Sequence, residues 1–116
     1  MSALQHNELH FLLDQRGSLI VYQENTASWV GALAFSSEER ARQFLRDSKL
    51  DASEIAAIDT GDPDALAALI GSLKPRAVRN LLLDLDYRTG HCTRIEFDGV
   101  GLGAPLEHQF KPPEQH

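Results

Sequence analysis

The side chains best able to do chemistry gather in "LLLDLDYRTGHCTRIEF", residues 81–97. Asp84 and Asp86 stand two residues apart, and His91 and Cys92 follow a glycine. Carboxylate, imidazole and thiolate are all zinc donors, so Asp84, Asp86, His91 and Cys92 form the candidate site. A closed zinc site needs three or four ligands held in fixed geometry. Here the donor types are mixed, and neither CxxC nor HxxxH spacing occurs. On an extended strand, Asp84 and Asp86 point to the same face. If Arg88, Thr89 and Gly90 form a three-residue loop, Gly90 supplies the left-handed residue that closes it. Tyr87 then faces His91, Asp86 faces Cys92, and Asp84 faces Arg94. Leu85, Leu83 and Leu81 face Thr93, Ile95 and Phe97. A slip of one residue would set Leu85 against Arg94, so the apolar pattern selects this register. The expectation is a hairpin with one apolar and one charged face, and an Asp84–Arg94 pair across it. The rival is a ligand or metal site built from Asp84, Asp86 and Cys92.

The elements that position this stretch are legible upstream. "LHFLLDQRGSLIVYQ" reads as a first hairpin, with Gly17 closing its loop and Leu13 facing Leu19, Phe11 facing Val21. "SWVGALAF", residues 28–35, reads as a third strand. Ser36 then stands three residues before Glu39, the spacing of a capping box. Ala41, Phe44 and Leu45 recur at helical spacing, and the charged positions between them read as a solvated face. Residues 55–58 read as a short strand. Asp62 caps a second helix and Pro63 takes its first position, where a missing N–H costs nothing. Leu66, Leu69, Ile70 and Leu73 form its apolar face, and Lys74 and Pro75 end it. The order is β-β-β-α-β-α-β-β. The fold class is α+β, a mixed five- to six-stranded sheet with two helices. If the strands at Ile55 and Leu81 are parallel neighbours, the helix between them makes a right-handed crossover.

Residues 1–7 read as a flexible N-terminus and residues 8–98 as a single α/β domain. After Phe97 come three glycines and three prolines, so residues 99–116 read as a Gly/Pro-rich C-terminal tail. Its apolar side chains could still dock on the domain.

Composition limits the function. The 11 Lys and Arg against 17 Asp and Glu leave a net charge of −6, which repels nucleic acid and anionic membrane. The beginning has no basic and apolar leader pattern, and no apolar run is long enough to span a bilayer. A single cysteine allows no internal disulfide. Cytoplasm is the expected compartment. No Walker or Rossmann glycine pattern occurs, and no cofactor is expected. Tyr22 and Trp29 are candidate interface aromatics, since aromatics often anchor protein contacts.

Two resemblances bear on function. "IDTGD", residues 58–62, resembles the Asp-Thr-Gly motif of aspartic proteases, in which two aspartates from two subunits activate water. That family carries the motif in an all-β loop, whereas here a helix opens directly after it. It remains a remote alternative, with Asp59 as its aspartate. "ALAFSSEERARQFL" resembles the N-terminal domain of the bacterial SseB family. The match is carried by Phe35, Ser36, Ser37, Glu38 and Glu39, then by Ala41, Phe44 and Leu45. "ALAALIGSL" and "VRNLLLDLD" fall where that family has its second helix and strand. The resemblance spans residues 9–97 and implies a mixed α/β fold. The functional expectation is a small non-catalytic cytoplasmic module acting by protein–protein contact, including self-association.

Overall fold

The structure, a computed structural model, describes residues 8–23, 30–52, 54–97 and 102–109. Seven strands and two helices alternate along them: β1 Glu8–Leu13, β2 Val21–Tyr22, β3 Gly31–Phe35, α1 Glu38–Ser48, β4 Glu54–Asp59, α2 Pro63–Leu73, β5 Asn80–Leu83, β6 His91–Phe97 and β7 Leu102–Gln109. The α+β class and the expected order hold, with one strand added at the end. The sheet runs β4-β1-β3-β5-β6-β7, with β2 also paired to β3. Among the described residues no helix is long and apolar enough to cross a membrane. The flexible N-terminus assigned to residues 1–7, and Trp29, lie outside the described residues.

Period-two alternation decides which helix each strand residue meets. Leu9, Phe11, Ala32, Ala34, Leu81, Leu83, Ile95 and Phe97 pack with Leu69, Ile70 and Leu73 of α2. Leu12, Leu33, Phe35, Leu82 and Cys92 pack with Ala41 and Phe44 of α1. The central strands therefore bury both faces and read as unbroken apolar runs. The helices lie on opposite faces for a topological reason. The chain passes from β3 through α1 to β4, moving outward across β1, and returns through α2 to β5. Two crossovers of one hand that move in opposite directions place their helices on opposite faces.

That path corrects one expectation. The parallel neighbours are β3 and β5, not the strands at Ile55 and Leu81. β4 instead pairs antiparallel with β1 at the sheet edge. The first turn forms as expected. Gly17 has φ +79, Asp14 faces Ser18, and Leu13 bridges Leu19. The hairpin register continues only to Ile20, whose N–H donates to the Leu12 carbonyl at 2.8 Å. Ile20 wedges between Leu12 and Leu33, so Val21 faces Ala32 and Phe11 faces Ala34 and Ala56. β3 offers more backbone partners than β1 alone can fill, and β2 completes its edge.

The tail reading is also corrected, since residues 102–109 form β7 along β6. Pro105 lies within it, opposite Ile95. Proline removes a ladder donor and is tolerated on an edge strand, and that is where β7 sits.

At Gly31 the Leu82 side chain of β5 occupies the space that a Cβ would need. A Cβ there would lie 2.5 Å from the Leu82 Cγ, and Leu82 is fully buried. Gly31→Ala is therefore expected to destabilise the domain by about 1–3 kcal/mol through overpacking. Urea denaturation measures this. The same substitution in a Leu82→Ala background should cost less, and additive effects would exclude the clash as the cause.

Candidate functional site

A cleft of about 380 Å³ opens at the C-terminal ends of β3 and β5. Open α/β sheets place ligand crevices at strand C-termini, where the connections diverge. Here the chain leaves β3 into α1 and leaves β5 into the loop before β6. One wall is a stripe of α1, made of Arg40, Gln43, Phe44 and Asp47. These fall at i, i+3, i+4 and i+7, one side of a helix. The other wall is the loop from Asp84 to Arg88, and Phe35 and Leu85 contribute apolar lining. The Phe44 ring stacks at a tilt on Phe35 at 5.5 Å and meets Tyr87 edge-on at 5.9 Å.

Asp84 builds the junction of these walls. Its φ of +55 takes the chain out of the β5 line. Its N–H donates to the Ala34 carbonyl at 2.8 Å. Its two carboxylate oxygens accept from the Ser36 N–H and the Ser36 hydroxyl, each at 2.8 Å. Two expectations are corrected together. Ser36 does not cap α1, because Asp84 claims its hydroxyl. Ser37 caps the helix instead, accepting from the Arg40 N–H. Nor does Asp84 pair with Arg94, which pairs with Glu96 at 3.1 Å.

The second hairpin forms in a different register. Leu83 faces Thr93, Leu81 faces Ile95, and Leu82 faces Arg94, two residues from the expected pairing. Asp86, not Tyr87, faces His91. Gly90 keeps its left-handed role with φ +78. A shift of two preserves side-chain parity, so hydrophobic patterning could not detect it. The difference arises because Asp84 is drawn to Ser36 and the loop lengthens to absorb it.

Asp86, Asp47, Gln43 and Arg88 are also engaged. Asp86 Oδ1 accepts from the Arg88 N–H at 2.9 Å and the Thr89 N–H at 3.4 Å, shaping the loop. Asp47 accepts from Arg88 Nη2 at 3.2 Å, a bond that joins loop to helix. It also accepts from Gln43 Nε2. Arg88 is 74% exposed, so its pair with Asp47 contributes little to stability. Arg40 also lines the cleft, from the first turn of α1.

The four expected site residues separate. Asp84 and Asp86 line the cleft. His91 is exposed on β6, opposite Gln109. Cys92 is buried beneath, and burial pushes its thiol up to about 11 against the pull of Arg94. It is a protonated core thiol at neutral pH. Among the described residues no three His, Cys, Asp or Glu side chains are grouped to hold a metal, so Asp84, Asp86 and Cys92 do not make one. Tyr22 is half-buried against the α1-side core. Asp59 ends β4, and its carboxylate accepts the Gly61 N–H in a strand-to-helix turn before the Asp62 cap.

The sequence reading missed Arg40, Gln43, Asp47 and Arg88. In sequence the polar positions of α1 read as a solvated face, and only the loop folding over them makes a wall. Chemically, the arrangement can hold an apolar side chain over Phe44 and Tyr87 and meet charges of either sign at its rim. No family model, curated protein or solved structure matches the chain.

Proposed function

We propose that this chain is a small non-catalytic binding module that acts by protein contact, with the cleft between α1 and the β5–β6 loop as its recognition site. One observation carries the reading. The carboxylates of the cleft are committed to the fold: Asp84 to Ser36, Asp86 to its own loop and Asp47 to Arg88 and Gln43. An acid or base for catalysis needs a group within reach of a substrate proton. These groups instead shape a concave surface with an aromatic lining. Its volume of about 380 Å³ lies at the low end of the range for ligand clefts. An extended peptide segment with one apolar anchor beside charged residues fits it.

The SseB resemblance belongs to the same proposal. Phe35 to Glu39 form the β3–α1 junction, and two of the residues that carry the likeness, Phe35 and Phe44, line the cleft. A cytoplasmic setting suits a lone cysteine kept buried as a free thiol.

Selection of a random-peptide phage library on the immobilised chain tests the reading. Peptides sharing an apolar anchor should be enriched. Gln43→Trp, which fills the cleft from an exposed helix position, should lose them while keeping its helical circular dichroism. No enrichment, or enrichment retained by Gln43→Trp, would refute the cleft as the recognition site.

A further inference from the structure

β4 ends the sheet, and among the described residues it pairs with β1 alone. The directions of its backbone groups follow from its neighbour. Ile20 donates its N–H to the Leu12 carbonyl at 2.8 Å, so the polar groups of Leu12 point toward β3. These groups alternate sides along a strand. Those of Phe11 and Leu13 therefore point to β4, where Ala56 and Glu54 stand opposite. Ala56 bonds inward, while Ile55 and Ala57 turn their N–H and C=O groups to the open side.

The two edges of the sheet differ in protection. β7 carries Pro105 and Glu107, both devices that blunt an edge. From Ile55 to Ile58, β4 has neither proline nor charge. Such an edge is a template for another strand.

We infer that β4 pairs antiparallel with β4 of a second copy of this chain, centred on Ala56. Symmetry and the ladder select the register. Hydrogen-bonded and non-bonded pairs alternate in an antiparallel ladder, so a twofold axis must set a residue opposite its own copy. A register placing Ala56 against Ala57, which would set Glu54 against Asp59, is excluded. Centring on Ala57 would call on the Asp59 carbonyl, which already accepts the Asp62 N–H at 3.2 Å. Centring on Ala56 sets Ile55 against Ala57 of the partner twice over. Four hydrogen bonds form, and the turn at Asp59 is undisturbed. Glu54 then faces Ile58 of the partner, so the acidic ends do not oppose each other. The two sheets become one continuous sheet. This surface is separate from the cleft, and neither proposal depends on the other.

Sedimentation equilibrium of the whole chain across a wide concentration range tests the pairing. The mass should rise from 12.9 kDa toward twice that value. Ala57→Pro removes an N–H that no described strand of the monomer uses, so the variant should fold. It should weaken association roughly tenfold or more, since two of the four bonds are lost. Should Ala57→Pro fail to fold, Ala57→Lys at the same exposed position serves in its place, and a folded variant that still dimerises refutes the proposal. Ala56→Cys reads the register. The facing Cα atoms of a non-bonded pair stand at about 4.5 Å, within disulfide reach. Oxidation should cross-link Ala56→Cys but not Ala57→Cys, and Cys92 is too buried to compete. A monomeric mass at every concentration, or the opposite cross-linking pattern, overturns the inference.

Discussion

Replacing Phe44 with alanine lowers the unfolding free energy by about 3–5 kcal/mol. The ring is 4% exposed and lies where α1 meets the sheet. It packs among Leu12, Leu33, Phe35 and Leu82 below and touches Tyr87 of the loop beside it. Truncation removes its transfer energy and its edge-on contact, and leaves a hole that rigid strands cannot close. For a domain of this size the melting temperature should fall on the order of 10–20 °C. Phe44→Leu keeps most of the volume and should cost under about 2 kcal/mol. Chemical denaturation followed by circular dichroism measures both. A loss below about 1 kcal/mol for Phe44→Ala would mean that α1 is held to the sheet by other contacts.

Asp84→Ala is the second large effect, expected at about 2–4 kcal/mol. Two charge-assisted hydrogen bonds disappear, and the Ser36 N–H loses its acceptor. Alanine must also hold the φ of +55 that aspartate and asparagine tolerate better. A short series separates these causes. Asp84→Gly relieves the backbone but not the lost bonds, so it should fall between wild type and alanine. Asp84→Asn keeps the tolerated backbone and one acceptor oxygen, and should cost about half as much as alanine. Asp84→Asn should also retain the selected peptides, because the carboxylate serves the fold. If asparagine costs as much as alanine, the two bonds to Ser36 are not what Asp84 contributes.

The parts legible in sequence were those set by local physics. Gly17 and Gly90 closed turns because the chain there needed a positive φ, and both have it. Asp62 and Pro63 began α2 as their capping chemistry requires. The stripe Leu66, Leu69, Ile70 and Leu73 met the core because helical spacing permits one buried face. The site was half legible. Asp84 and Asp86 do line the cleft, but as builders of its wall, and His91 and Cys92 belong elsewhere. The misplaced cap has the same origin: Ser36 and Ser37 are equivalent in sequence, and Asp84, 48 residues away, decides between them.

Sequence by itself determined the elements as far as β6, their order and the α+β class, since turn chemistry, capping and periodicity act over a few residues. Beyond the β5–β6 hairpin, tertiary structure decided which strands are neighbours. It set β3 beside β5, moved β4 to the edge and drew β7 out of an apparent tail. Backbone hydrogen bonds are the same for every residue, so they carry no sequence mark of the partner they will find. It also decided the register of the second hairpin, because a shift of two residues leaves the apolar pattern unchanged while a distant serine captures Asp84. The stretch with the most conspicuous side chains thus became the wall of a cleft.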